Sequence, residues 1–218
     1  MGRRRLIQLQ HGVRGIPWLG IGVVAAPAVG LIASAFVFNR HRLAWLLLRS
    51  GILLWVVVAA FLLDDPSAPI TRASPRSPTW WFWGRFAVGL PLLLPSIVSG
   101  YLWATDHPGV DPSGLAIQTT GAWLLVLSGS SVARRLGRRT PGNLVASMAA
   151  LVALFLMIFP VRIRDIPVLP APGDPNWGLG TLVWSVVGIV AIVGIAYAGW
   201  WRPSPALSFR GHRPHIPM

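Results

Sequence analysis

The stretch from Leu46 to Pro95 restricts this chain more than any other. Two apolar runs, each long enough to cross a bilayer, flank a polar segment that begins Asp64-Asp65-Pro66. Hydrocarbon rejects a carboxylate at a cost of roughly 2.5–3.5 kcal/mol at mid-membrane, so the first run has to stop there. The second restarts through Trp80, Trp81 and Trp83, residues suited to the membrane–water boundary. Between them stand Arg72, Arg76 and the prolines Pro66, Pro69, Pro75 and Pro78. Such a stretch forms a membrane hairpin with a stiff, charged cap, and the cap is the natural contact surface.

Further apolar runs extend the pattern to six predicted spans, an all-α polytopic membrane protein. They cover Trp18 to Phe38, Leu43 to Leu63, Trp80 to Trp103, Leu115 to Val132, Asn143 to Pro160 and Thr181 to Trp201. A span of about 20 residues at 1.5 Å per residue covers roughly 30 Å, one hydrocarbon core. Pro91 and Pro95 predict a kink in the third. The chain thus divides into a basic leader over 1–17, suited to the membrane interface, a membrane domain over 18–201, and a basic, disordered tail over 202–218. An Arg-rich start, an apolar run and Ala33-Ser34-Ala35 also fit a cleaved signal peptide. The length of that run and Pro27 inside it favour an uncleaved span.

Composition narrows the chemistry. Only 11% of residues are charged, and all 19 basic residues are Arg. Without Lys there is no Walker A motif, so the chain cannot be its own P-loop ATPase. Without Glu there is no H-E-x-x-H helix, and without Cys no thiol chemistry or disulfide. The net charge of +13 does not indicate nucleic acid, because the arginines sit at the ends of apolar runs. It suits anionic lipid headgroups, at about 1 kcal/mol per basic residue near the surface. Arginines cluster in the leader, the cap, the loop Arg134-Arg135-Leu136-Gly137-Arg138-Arg139 and the tail. The opposite connections hold only Arg40, Arg42, Arg162 and Arg164. That asymmetry places both termini in the cytoplasm, in a cell-membrane protein.

Few residues carry candidate chemistry. Arg49 lies about two turns inside the second span, where it either lines a path or snorkels to the outer headgroups. For Arg85, one turn from the Trp cluster, snorkelling is expected. Gln118, Thr119 and Thr120 in the fourth span either line a polar path or hydrogen-bond across packed helices. Small-residue spacings at Gly22/Ala26/Gly30/Ser34 and Gly194/Ala198 predict close helix packing. No His has a ligand-spaced partner within a span, and no acid/base cluster or nucleophile turn appears. No metal, cofactor or enzymatic activity is expected. For Asp64 and Asp65 the choice lies between a plain helix stop and a docking contact.

The segment from Phe61 to Pro75, FLLDDPSAPITRASP, resembles the L-D-D-P-A-x-P-T-x-A-x-P stretch of small actinobacterial membrane proteins associated with ABC transporters. Pro172-Gly173-Asp174-Pro175-Asn176-Trp177, followed by Trp184, is similar to that family's segment before its last span. The tail, Arg202-Pro203-Ser204-Pro205-Ala206, departs from the family's Asp-Pro-Ala ending. The resemblance implies a permease-like subunit that depends on a separate ATP-binding chain and pairs with itself or a related membrane subunit. Six spans with both ends inside match type-2 ABC exporters, in which the loop between spans two and three meets the ATPase. Asp64, Asp65, Arg72, Arg76, Arg134, Arg135, Arg138 and Arg139 are then the docking candidates. The alternative is a non-transporting accessory or assembly subunit of a larger membrane complex.

Overall fold

A computed structural model describes residues 16–38, 40–64, 78–107, 109–136, 140–159, 161–163 and 166–200. Six helical segments among them are long and apolar enough to cross a membrane, and the chain is an all-α multi-pass membrane protein. In chain order they are α1 (Trp18–Val37), α2 (His41–Phe61), a broken third span, α5 (Pro112–Arg135), α6 (Pro141–Ile158) and α7 (Trp177–Gly199). The third span comprises α3 (Pro78–Gly89), one 3-10 turn (Leu90–Leu93) and α4 (Leu94–Thr105). Pro91 and Pro95 explain the break, since neither offers an N–H to the helical ladder. Trp55 of α2 donates its indole N–H to the Leu92 carbonyl there, at 2.6 Å.

Local chemistry sets the ends of α5 slightly outside the apolar run. Asp111 accepts from the backbone N–H of Ser113 (3.0 Å) and Gly114 (2.9 Å), and Pro112 fills the first helical position. Arg134 and Arg135 occupy the last turn, where cations suit the helix dipole.

Helices α2 and α5 form the centre, with 67% and 61% of their spans buried against 17% for α1 and α6. α1 packs along α2, α7 along α5, and α6 touches both central helices. Two glycines permit the closest approaches. A Cβ on Gly51 would meet the Ala28 carbonyl at 2.9 Å, and one on Gly121 the Trp184 carbonyl at 2.6 Å. The close packing expected along Gly22, Ala26, Gly30 and Ser34 is not found at the two glycines among the described residues. A Cβ on Gly22 or Gly30 would meet nothing within 4 Å, and Ala28 and Ala35 face the bundle instead. The reason is phase: α1 turns Gly22, Ala26 and Gly30 away from the bundle.

Six crossings bring Ile16 and Trp200 to one end of the bundle, here the terminal end. The connections around residues 38–41, 106–111 and 159–176 lie at the far end. In the last of these, β1 (Arg162–Ile163) pairs antiparallel with β2 (Ile166–Pro167), Arg162 opposite Pro167. Residues 166–176 then fold back between the helices as a strap.

Candidate functional site

Polar side chains converge at two places, one near each end of the bundle. At the terminal end, α2 closes on a turn whose Leu62 and Leu63 are fully buried, and this pulls Asp64 inward until only 6% is exposed. Its Oδ1 accepts from the Gly142 N–H at 2.6 Å. Thr140, at the start of α6, offers no side-chain cap, so Asp64 caps α6 from another segment of the chain. A Cβ on Gly142 would fall 2.5 Å from both the Ala60 carbonyl and Asp64 Oδ2, so only glycine fits. Arg85 of α3 is buried and donates Nη1–H to the Asp64 main-chain carbonyl at 2.5 Å. Burial pushes the Asp64 carboxyl above its ordinary range, while the Gly142 and Asn143 amides and the Arg85 charge pull it back.

Two expectations change accordingly. Asp64 is an internal tie between the exit of α2 and the entrance of α6, not an exposed docking contact. Arg85 does not snorkel, because a peptide carbonyl inside the bundle captures its guanidinium. Arg135 rests over the Tyr197 ring at 3.5 Å and donates to the Tyr197 carbonyl at 3.1 Å, which draws it onto α7. Arg134 is half-buried beside it. Asp65, Arg72, Arg76, Arg138 and Arg139 lie outside the described residues.

At the far end the central residue is Arg49, which is 8% exposed. Its Nη1–H donates to the Pro170 carbonyl at 2.5 Å, and its guanidinium carbon lies 5.1 Å from the centre of the Trp45 ring. A carbonyl and an indole face, not a carboxylate, are its partners among the described residues. Trp45 belongs to an aromatic cluster with Trp103 at 5.5 Å and Trp177 at 6.1 Å. Trp103 stacks on His107 at 3.8 Å, and His107 donates its Nδ1–H to the Trp103 carbonyl at 2.7 Å. Arg49 therefore neither snorkels nor faces an open path. It holds the strap.

Side chains and a loop contact fix the strap in place. Trp184 of α7 donates its indole N–H to the Val168 carbonyl at 2.7 Å. The Gly173 N–H donates to the Gly109 carbonyl at 2.8 Å, and both glycines have positive φ, +77° and +88°. Pro170 is fully buried, and Gly180 leaves room for it. Arg49 lies eight residues into α2, about 12 Å along the axis, so the strap reaches well below the bundle's far end. Non-helical backbone at that depth survives only where protein covers it and satisfies its polar groups.

The candidate path residues close on their own surroundings. Thr119 and Thr120 donate to carbonyls one turn back in α5, Leu115 and Ala116, each at 2.8 Å. Gln118 donates to Thr181 Oγ1 at 3.4 Å. Beside Arg49, Gln118, Thr119, Leu169 and Trp184 lies a cavity of about 20 Å³, lined almost wholly by apolar atoms. That is room for one water and not for an organic substrate. Trp184 and the strap escaped the sequence-based site, although the sequence held a signal. The proline run after α6 is too rich in apolar residues, Ile166, Val168 and Leu169, for a loop lying in water.

Compared with known proteins, the chain matches no family model, no curated protein and no solved structure.

Proposed function

We propose that this chain is the membrane subunit of an ABC transporter, with ATP hydrolysis supplied by a separate chain docked at the terminal end. The observation that carries this reading is the Asp64 tie. The exit of α2 and the first turn of α6, from which the two inter-span connections at that end extend, meet through the Asp64–Gly142 hydrogen bond. A displacement of the cap would reach α6 through Gly142 and α3 through Arg85, so one contact moves three spans. The cap carries the resemblance to the ABC-associated proteins, and its prolines stiffen it for such a push. The cavity beside Arg49 holds no more than a water, so a conduit would form between two subunits, either two copies or a related pair. The excess of arginine at the terminal end makes it the cytoplasmic side and suits it to anionic lipid.

The same small cavity favours a second reading, a membrane-embedded accessory subunit that transports nothing. Purification in mild detergent separates the two. The transporter reading expects a Walker A chain to co-purify, with ATPase activity that falls in the Asp64→Ala variant. A large complex lacking any ATPase would replace it with the accessory reading. Sidedness has its own test: a periplasm-reporting fusion after Gly109 should be active and one after Gly137 inactive, and the reverse pattern overturns the orientation.

A further inference from the structure

We propose that residues 166–176 are a gating strap, latched by Arg49 and Trp184, that closes the cleft between α2, α5 and α7 toward the far end. The latch differs in kind from the rest of the bundle. Helical backbone satisfies itself, so opening a helix breaks many bonds together. Within the strap, the carbonyls of Val168 and Pro170 are satisfied by two side chains, from α7 and α2. Those side chains can let go while their own helices stay wound. Ala171, Gly173 and Pro175 face outward, with no second layer above them among the described residues.

What lies underneath also fits a gate. Gln118 is 4% exposed, and its side-chain carbonyl oxygen has no protein hydrogen-bond partner among the described residues. The cavity beside it has room for one water at most, and lifting the strap would open the Gln118 amide to solvent. The Arg49 guanidinium would gain hydration in the same movement. Closure rests on the two side-chain hydrogen bonds of the latch, the Gly173–Gly109 contact and the burial of Pro170, set against two polar groups that prefer water, Arg49 and Gln118. That balance makes a bistable element rather than a permanent plug.

The chain has no cysteine, so Thr119→Cys supplies a single reporter at the cleft. A membrane-impermeant maleimide is applied to each side of sealed vesicles in turn. The reporter alone should label slowly, and from the far-end side only. Adding Arg49→Gln should raise the rate about tenfold or more from that side alone, and Trp184→Phe, separately, about fivefold, the population changes expected for losing a charged and a neutral hydrogen bond. Hydrogen exchange in the full-length protein should rise over residues 166–176 while α2 and α5 keep their protection. Trp184→Phe retains the ring, so it carries the test should Arg49→Gln not fold. Unchanged labelling in the folded variants, equal labelling from both sides, or loss of protection in α2 and α5 along with the strap would each overturn the gate. These measurements read access and not transport, so the result stands apart from the identity of any ATPase partner.

Discussion

Arg85 and Arg49 are both buried, and each gives a guanidinium N–H to a main-chain carbonyl at 2.5 Å. Their surroundings differ. Arg85 has Asp64 beside it, a carboxylate already held by the Gly142 amide. Arg49 has the face of Trp45. A nearby carboxylate attracts a buried cation more strongly than an indole face does, and the face acts over a wide range of positions. The terminal end is thus built to move as one piece. The far end is built so that a single segment can leave.

Deleting the carboxylate tests that contrast most severely. Asp64→Ala leaves the Arg85 charge without its neighbour and the first amides of α6 without an acceptor. Thermal unfolding in detergent should show a loss of about 3 kcal/mol, the upper end of the range for a hydrogen bond to a charged group. A loss below about 1 kcal/mol would mean that the two ends are equally loose.

At the other end, Trp45→Leu removes the indole face and keeps an apolar side chain. The expected loss is about 2 kcal/mol, the scale of a desolvated cation–π contact. It should appear as faster exchange over 166–176 before any change in α3 or α6. If α6 loosens first, the two ends are not separable units.

Smaller still is Trp184→Phe, which deletes one indole hydrogen bond at about 1 kcal/mol. Its effect should be confined to the strap. A comparable shift in melting temperature from Trp55→Phe, whose indole N–H meets the Leu92 carbonyl, gives the reference for a bond within the helical bundle.

The weakest effect expected is one of pH. Burial raises the Asp64 carboxyl above its ordinary 3.8, so between those two values the folded chain holds more protons than the unfolded one. Stability contributed by this end should therefore rise as pH falls through that window and diminish as pH rises through it. Asp64→Asn keeps an acceptor oxygen for Gly142 and should flatten the slope without unfolding the protein. A slope of the opposite sign would show that the amides and Arg85 outweigh burial.

The six spans, the break at Pro91 and Pro95 and the excess of arginine at one end were all legible in the sequence. Each depends on local quantities: the cost of placing a residue in hydrocarbon, the missing N–H of proline, and the length needed to cross a bilayer. The roles of Asp64, Arg85 and Arg49 were not legible. A charged residue near the end of a span reads as a helix stop or a snorkelling side chain because sequence shows only its depth. Whether a peptide carbonyl or an amide waits beside it depends on which helices meet there. Gly142 lies 78 residues from Asp64, and Pro170 lies 121 from Arg49. The strap follows the same rule, since a proline-rich segment becomes membrane-buried backbone only when α2, α5 and α7 leave a cleft to receive it. Hydropathy placed the helices, and the meeting of distant segments decided which polar groups could be buried.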